Sequence, residues 1–437
     1  MSIALSRWTE LSASERIDVL RRPAMAVDNS VRDSVTRIVL DVMQNGDAAV
    51  TELTERFDGV KLVCSRVSEE ELASSGTLLT EAQKSAISLA IRNVRMFHEA
   101  QIPADLSVNT MPGVLCQRIS HPIESVGLYV PAGSAPLPSA AIMLAVPATI
   151  AGCPEIVLCT PPRPDGNADP AVLYAAQLAG VTDIFKIGGA QAVAAMAYGT
   201  QTVPKVDKVF GPGNAWVTEA KSQVASGANG AAIDMPAGPS EVLVIADGLA
   251  NPEFVAADLL SQAEHGEDSQ VILVTDSEAL AADVQSELGE QLALLSRRKI
   301  AAKSIATSRI IIVDDLTMAV EVSNQYAPEH LILQVESPRN LVPSLRNAGS
   351  VFLGAWSPES VGDYCSGTNH VLPTYGHARA YSGLGVDQFI RYMTLQELSE
   401  DGLSAIAPAV TELASLEGLD AHSAAVTRRL RSLEDAQ

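Results

Sequence analysis

The sequence predicts an α/β protein with two parallel sheets, and three observations carry that expectation. From Ser125 onward, short apolar runs recur without polar alternation, the pattern of strands buried on both faces. Segments with helical spacing separate them, which is the strand–helix–strand order of a parallel sheet. The runs fall into two series, parted by the turn-rich stretch Pro236-Ala-Gly-Pro-Ser240.

Up to about residue 115 the chain reads mainly as helices. Thr80-Glu-Ala-Gln83 is a capping box, and Ile87, Ala90, Ile91, Val94 and Phe97 follow at helical spacing, giving one apolar face. Three strands are expected at 125–130, 155–159 and 183–187. Between the last two, Asp169-Pro170 opens a crossover helix and Gly180 closes it. The second series supplies strands at 241–245, 270–274, 309–313, 330–333 and 350–353. Its first crossover helix opens at Asn251-Pro252 and should stop at Gly266. Beyond about residue 385 no strand is expected, only a helical tail. There is no fixed-period repeat and no low-complexity segment.

At roughly 150 residues per domain, 437 residues allow about three units. Thirty basic against 52 acidic residues leave a net charge of −22, and with only 19% charged residues the acidity reflects scarce bases. Such a chain repels nucleic acid. A hydrophobic content of 47% with 4% aromatics describes an aliphatic core, not a disordered chain. Met1 to Glu10 lacks the features of a secretory signal, and the apolar stretch from Ala140 to Cys153 is broken by Pro147 and falls short of the ~20 residues of a membrane span. Five cysteines without C-x-x-C spacing suit a reducing cytoplasm, and Cys153 and Cys159, flanking an expected strand, read as packing residues.

Of the seven histidines, His98 and His121 read as structural. Gln262 and His265, three apart, share a helix face and could offer a metal an amide oxygen and an imidazole; a plain polar helix end fits the spacing too. Glu329-His330 stands at a strand edge, where α/β enzymes place proton-transfer groups, and neighbours on a strand face opposite ways, so the two should serve different atoms. Gly188-Gly-Ala-Gln191, Gly211-Pro-Gly-Asn214 and Pro131-Ala-Gly-Ser134 each follow a strand and precede a helix. None fits a standard nucleotide fingerprint, and ordinary tight turns and a non-standard phosphate cradle both remain open. Gly362-Asp-Tyr-Cys-Ser-Gly-Thr-Asn-His370 carries more polar groups than a connecting loop requires, which suggests substrate contact.

Together these segments resemble the histidinol dehydrogenase family over nearly the whole chain. The most specific stretch runs from Ile233-Asp-Met-Pro-Ala-Gly-Pro-Ser-Glu-Val-Leu-Val-Ile245 through Asp258-Leu-Leu-Ser-Gln-Ala-Glu-His265. Gly211-Pro-Gly-Asn214, Ala327-Pro-Glu-His330, Gly362 to Pro373 and Glu417-Gly-Leu-Asp-Ala-His422 add to it. The resemblance implies two Rossmann-like parallel-sheet domains with small helical N- and C-terminal extensions. Their expected bounds are a helical extension at 1–24, a larger α/β domain from 25–128 and 240–384 carrying the metal and catalytic residues, an inserted NAD-binding domain at 129–239, and a tail at 385–437 exchanged in a homodimer.

It also implies oxidation of L-histidinol to L-histidine through the aldehyde, with two NAD reduced and one Zn2+ per subunit. Zinc would be held by Gln262, His265, Asp363 and His422. His330 would act as base on the alcohol and the hydrated aldehyde, and Glu329 would activate the attacking water. Ser240, His370 and Glu417 would join Gln262, His265, His330, Asp363 and His422 in contacting substrate, with Tyr129, Gln191 and Asn214 contacting NAD. Glu417 and His422 would complete the partner's site. Cys116 and Cys153 need no catalytic part. A related zinc/NAD dehydrogenase of another small primary alcohol is the nearest alternative, and a scaffold that has lost catalysis is disfavoured by the retained Glu329-His330 pair.

Overall fold

The computed structural model describes residues 3–23, 29–132, 135–236 and 238–435. The Gly133-Ser134 part of the third glycine turn lies outside the described residues. The chain divides into two compact units, Met1–Gln101 with Glu124–Phe389, and Ile102–Ile123 with Ile390–Gln437.

In chain order the strands are β1 (Ala4–Arg7), β2 (Leu106–Met111), β3 (Val114–Pro122), β4 (Ser125–Tyr129), β5 (Glu155–Thr160), β6 (Asp183–Lys186) and β7 (Lys208–Phe210). There follow β8 (Ala232–Ile233), β9 (Glu241–Ala246), β10 (Gln270–Thr275), β11 (Arg309–Ile312), β12 (His330–Gln334), β13 (Ser350–Leu353) and β14 (Ile390–Leu398).

The first unit holds two all-parallel sheets, one ordered β6-β5-β4-β7-β8 and the other β1-β11-β10-β9-β12-β13. Every residue of β4, β9, β10 and β12 is buried, which is why these strands read as unbroken apolar runs. β1 departs from the expected helical N-terminal extension: Ala4-Leu-Ser-Arg7 adds an edge strand beside β11. Four residues of mixed polarity, largely exposed, carry no period-2 signal.

The crossover helices obey their caps. Helix Pro170–Ala179 has Asp169 accepting from Ala171 N (2.9 Å) and ends on left-handed Gly180. Helix Pro252–Ala263 opens under Asn251 (2.9 Å to Glu253 N) but ends before the expected Gly266, with Glu264 as its C-cap. One further turn, His265 N to Gln262 O at 3.2 Å, keeps His265 over Gln262. Helix Glu81–Glu99 has the capping box, yet it buries His98 where Phe97 was expected; Phe97 is 49% exposed. Eleven residues from Ile87 complete about three turns, so position 98, not 97, returns to the buried face. His98 is satisfied there by Val94 O (2.8 Å) and Asn369 Nδ2 (3.3 Å). Cys153 and Cys159 are buried, as packing residues should be.

The second unit is an antiparallel sheet ordered β14-β3-β2 with helices Glu400–Leu416 and Asp420–Asp435. β14 corrects the expectation that no strand follows residue 385. It is exposed over almost its whole length, so no buried face marks it in the sequence, and its pairing with β3 is what makes it a strand. Among the described residues no helix is long and apolar enough to cross a membrane.

Candidate active site

β12 lies between β9 and β13, and its first residue, His330, pairs with Val242 and Ser350. Glu329 precedes it, and a bonded frame from β9 holds it. Glu241 N donates to Glu329 Oε2 (3.0 Å), and Glu329 N donates to Glu241 Oε1 (3.3 Å). The Glu241 carboxylate is fixed in turn by Arg22 (Nε to Oε2 2.6 Å, Nη2 to Oε1 2.8 Å) and by Tyr326 Oη (3.1 Å). Glu329 and His330 are not turned to opposite sides of the strand: Glu329 Oε2 comes to 3.6 Å from His330 Nδ1. Opposite facing applies to residues within a strand, and Glu329 stands just outside β12, drawn back by Glu241 N.

Helix Pro252–Ala263 brings a fully buried Gln262 against the same point. Its carboxamide is best satisfied with the nitrogen toward Glu359 Oε1 (2.6 Å) and His265 Nδ1 (2.8 Å), and the oxygen toward Glu241 N and His330 Nδ1, both at 3.2 Å. Glu359 and Asp363 reach the cluster from the short helix Glu359–Tyr364, where a four-residue separation puts both on one face. Gly362 permits this approach, since a Cβ there would lie 2.5 Å from the Phe352 ring. Asp363 Oδ1 lies 3.6 Å from His330 Nε2, and one donor atom each from His330, Glu359 and Asp363 fit within 4.8 Å of one another.

Burial pushes the Glu329 carboxyl up to about 8 and that of Glu359 also to about 8. Burial opposes a charged His330, but Glu329, Glu359 and Asp363 overcome it and hold the imidazole at about 10. Asp363 is kept below its ordinary value, despite burial, by His330, His370 and His265. Burial lowers His265 and His370. The Nε2 atoms of His330 and His370 are buried without a hydrogen-bond partner. Three acidic side chains converging on the His330 imidazole, beside His265 and His370 whose protonation burial disfavours, and orphaned ring nitrogens make a site suited to a cation.

Ser240 sits immediately before β9, next to this cluster in the chain. Glu417, the C-cap of helix Glu400–Leu416, and His422, on helix Asp420–Asp435, belong to the second unit, and both are exposed there. Sequence reasoning missed Glu359 and Glu241. The i, i+4 spacing of Glu359 to Asp363 was a usable signal; Glu241 looked like one more strand residue.

A separate cleft of about 740 Å³ opens at the C-terminal ends of β4, β5 and β6, and Tyr129, Gln191 and Asn214 all line it. Tyr129 Oη accepts from Gly189 N (3.0 Å), fixing the Gly188-Gly189 turn, and burial pushes its phenol up to about 12. Asn214 Oδ1 caps helix Ala215–Ser226, accepting from Trp216 N and Val217 N at 3.1 and 3.2 Å. Gly211 lies so close to Tyr129 that a Cβ would fall 2.2 Å from Tyr129 O, and its φ is 127°.

Residues 20–430 match the family model described as histidinol dehydrogenase. A histidinol dehydrogenase of Vibrio cholerae serotype O1 is 56% identical over 430 residues, covering 98% of this chain and 99% of its own. One from Xanthomonas campestris pv. campestris is 56% identical over 424 residues, covering 97% and 98%. The crystal structure of histidinol dehydrogenase from Elizabethkingia anophelis superposes with a TM-score of 0.95 at 46% identity, covering 99% of each chain.

Proposed function

The chain belongs to the histidinol dehydrogenase family, NAD-dependent oxidoreductases that use one zinc ion, and from that premise we propose how its own residues divide the work. The observation that carries the reading is the convergence of Gln262, Glu329, His330, Glu359 and Asp363 on one buried point, with His265 bound to Gln262.

The donor set fits zinc of the catalytic kind. It offers nitrogen and oxygen atoms, no thiolate, and an imidazole, His265, that burial keeps neutral. Gln262, His265 and Asp363 would hold the ion, with His422 supplied by the tail of a partner subunit in a homodimer. Bound zinc supplies a fixed positive charge that orients and polarises the nitrogen and oxygen donors of the substrate.

The chain's side chains then move the protons. His330 takes the hydroxyl proton of L-histidinol as hydride leaves its carbon for NAD, giving the aldehyde and NADH. Glu329, held by Glu241 N, takes a proton from the water that adds to the aldehyde carbon. As that water adds, His330 returns its proton to the aldehyde oxygen, and it then accepts a proton from the hydrated aldehyde as a second hydride reduces a second NAD, leaving L-histidine. The carboxylates around His330 favour its protonated form; zinc held by Asp363 would offset that field and lower the imidazole toward the range a base needs. Ser240, His370 and Glu417 would contact the substrate, and Glu359 would face its cationic amine. Residues 129–239, carrying Tyr129, Gln191 and Asn214, would bind NAD. A cytoplasmic setting belongs to the same reading.

Anaerobic turnover of L-histidinol, with NADH counted per substrate consumed, tests it. Two NADH are expected; one would reduce the assignment to a simple alcohol dehydrogenase, and none would refute it.

A further inference from the structure

Asp58 is the last residue of helix Asp47–Asp58, outside the sheet that carries the cleft, and it lines that cleft with Tyr129, Gln191 and Asn214. Its Oδ2 is buried and has no hydrogen-bond partner. The fold gives this carboxylate little reason to be there. A negative side chain at a helix C-terminus opposes the dipole, and an unsatisfied buried oxygen costs free energy. Burial raises its pKa to about 6, so it is still largely ionised at neutral pH. Among the described residues, the other carboxylate of the cleft is Asp169, which is occupied in capping helix Pro170–Ala179.

Position assigns the missing partner. In the order β6-β5-β4-β7-β8 the chain winds from β4 to one side through β5 and β6, then returns to the other side at β7. Dinucleotides lie across such a reversal, and an acidic residue near the end of the strand beside the first one accepts the ribose hydroxyls. Here that strand is β5, and its end runs Thr160-Pro161-Pro162-Arg163, with neither a carboxylate nor a proline N–H; Arg163 lines the cleft as well, with its guanidinium 3.9 Å from Asp165 Oδ2. Asp58 reaches the same place from outside: a Cβ on Gly188, just after β6, would lie 3.4 Å from Asp58 Oδ1 and 2.9 Å from Pro161.

We propose that Asp58 accepts hydrogen bonds from the vicinal hydroxyls of a ribose of the bound dinucleotide and so sets the preference for NAD over its 2′-phosphorylated form. The inference rests on the cleft being the cofactor site. A 2′-phosphate would remove one donor and place a second anion against the carboxylate.

Equilibrium binding of NADH, NADPH, ADP-ribose and nicotinamide mononucleotide to the full chain tests this independently of turnover, in the native protein, Asp58→Asn, Asp58→Ser and Gln191→Ala. The native chain should bind NADH at least about tenfold more tightly than NADPH. Both Asp58 variants should weaken NADH and ADP-ribose about tenfold, leave nicotinamide mononucleotide unchanged and bring the NADH/NADPH ratio near one. Thermal unfolding should be no lower than native, since an unpaired buried charge is removed. Gln191→Ala should weaken NADH without changing the ratio. An unchanged ratio in both Asp58 variants, or a loss confined to nicotinamide mononucleotide, overturns the role of Asp58. Native-like NADH affinity in Gln191→Ala refutes the cleft itself as the cofactor site.

Discussion

Asp258 shows what burial does to one side chain near the acidic cluster. It is 5% exposed, accepts one bond from Gln334 Nε2 at 2.8 Å, and burial pushes its carboxyl up to about 6 from an ordinary 3.8. The folded chain therefore holds this proton more tightly than the unfolded one. The stabilisation is complete below about pH 4 and is lost as pH rises through 6. Asp258→Asn cannot ionise and keeps an acceptor for Gln334. Its stability relative to the native protein should improve by about 2–3 kcal/mol between pH 4 and 7, read from denaturant unfolding at both values. A difference that does not move with pH would show that Asp258 is not desolvated. Single residues differ in how far the sequence exposed them. Gln262, His265, Glu329, His330 and Asp363 stand in local patterns whose chemistry is recognisable. Glu359 is four residues from Asp363, but its part depends on Gly362 letting the helix close on Phe352.

Arg22 links the N-terminal segment to β9 and to the C-terminal end of helix Leu316–Tyr326. It pairs with both oxygens of Glu241, donates to Tyr326 O at 2.9 Å, and lies over the Tyr326 ring at 3.8 Å. Glu241 is 2% exposed, so loss of its partner leaves a buried charge unpaired. Arg22→Met should lower unfolding stability by about 3–5 kcal/mol, with part recovered in Arg22→Lys, as measured by denaturant titration. A loss below ~0.5 kcal/mol would mean that Tyr326 Oη and Glu329 N alone satisfy the Glu241 carboxylate. Elements differ in legibility for a related reason. Helices Pro170–Ala179 and Pro252–Ala263 announce themselves by caps and an N1 proline, which act locally. β1 and β14 have no buried face to announce, since their strand geometry comes from pairing with β11 and β3, distant in sequence.

The proposed exchange of tails makes a demand on the assembly. Glu329→Gln and His422→Ala should each be nearly inactive alone. Mixed under subunit exchange at equal amounts, half the dimers become mixed, and each would hold one intact site, so about a quarter of native turnover should return. No recovery despite verified exchange would place His422 outside the partner's site. The net charge of −22 fits the same picture, with carboxylates gathered where a metal and a cationic substrate would sit, and glycine turns with Arg163 as the basic lining side chain at the proposed dinucleotide cleft. From sequence, the two parallel sheets, the helix caps and most of the polar cluster were legible, because hydrophobic periodicity and capping are short-range. Three things were not: the closure of Glu359 onto His330, the Arg22–Glu241 frame behind Glu329, and the arrival of Asp58 at the end of β5. Each joins residues far apart in the chain, and such contacts depend on how the packed sheets and helices approach, which no local pattern encodes.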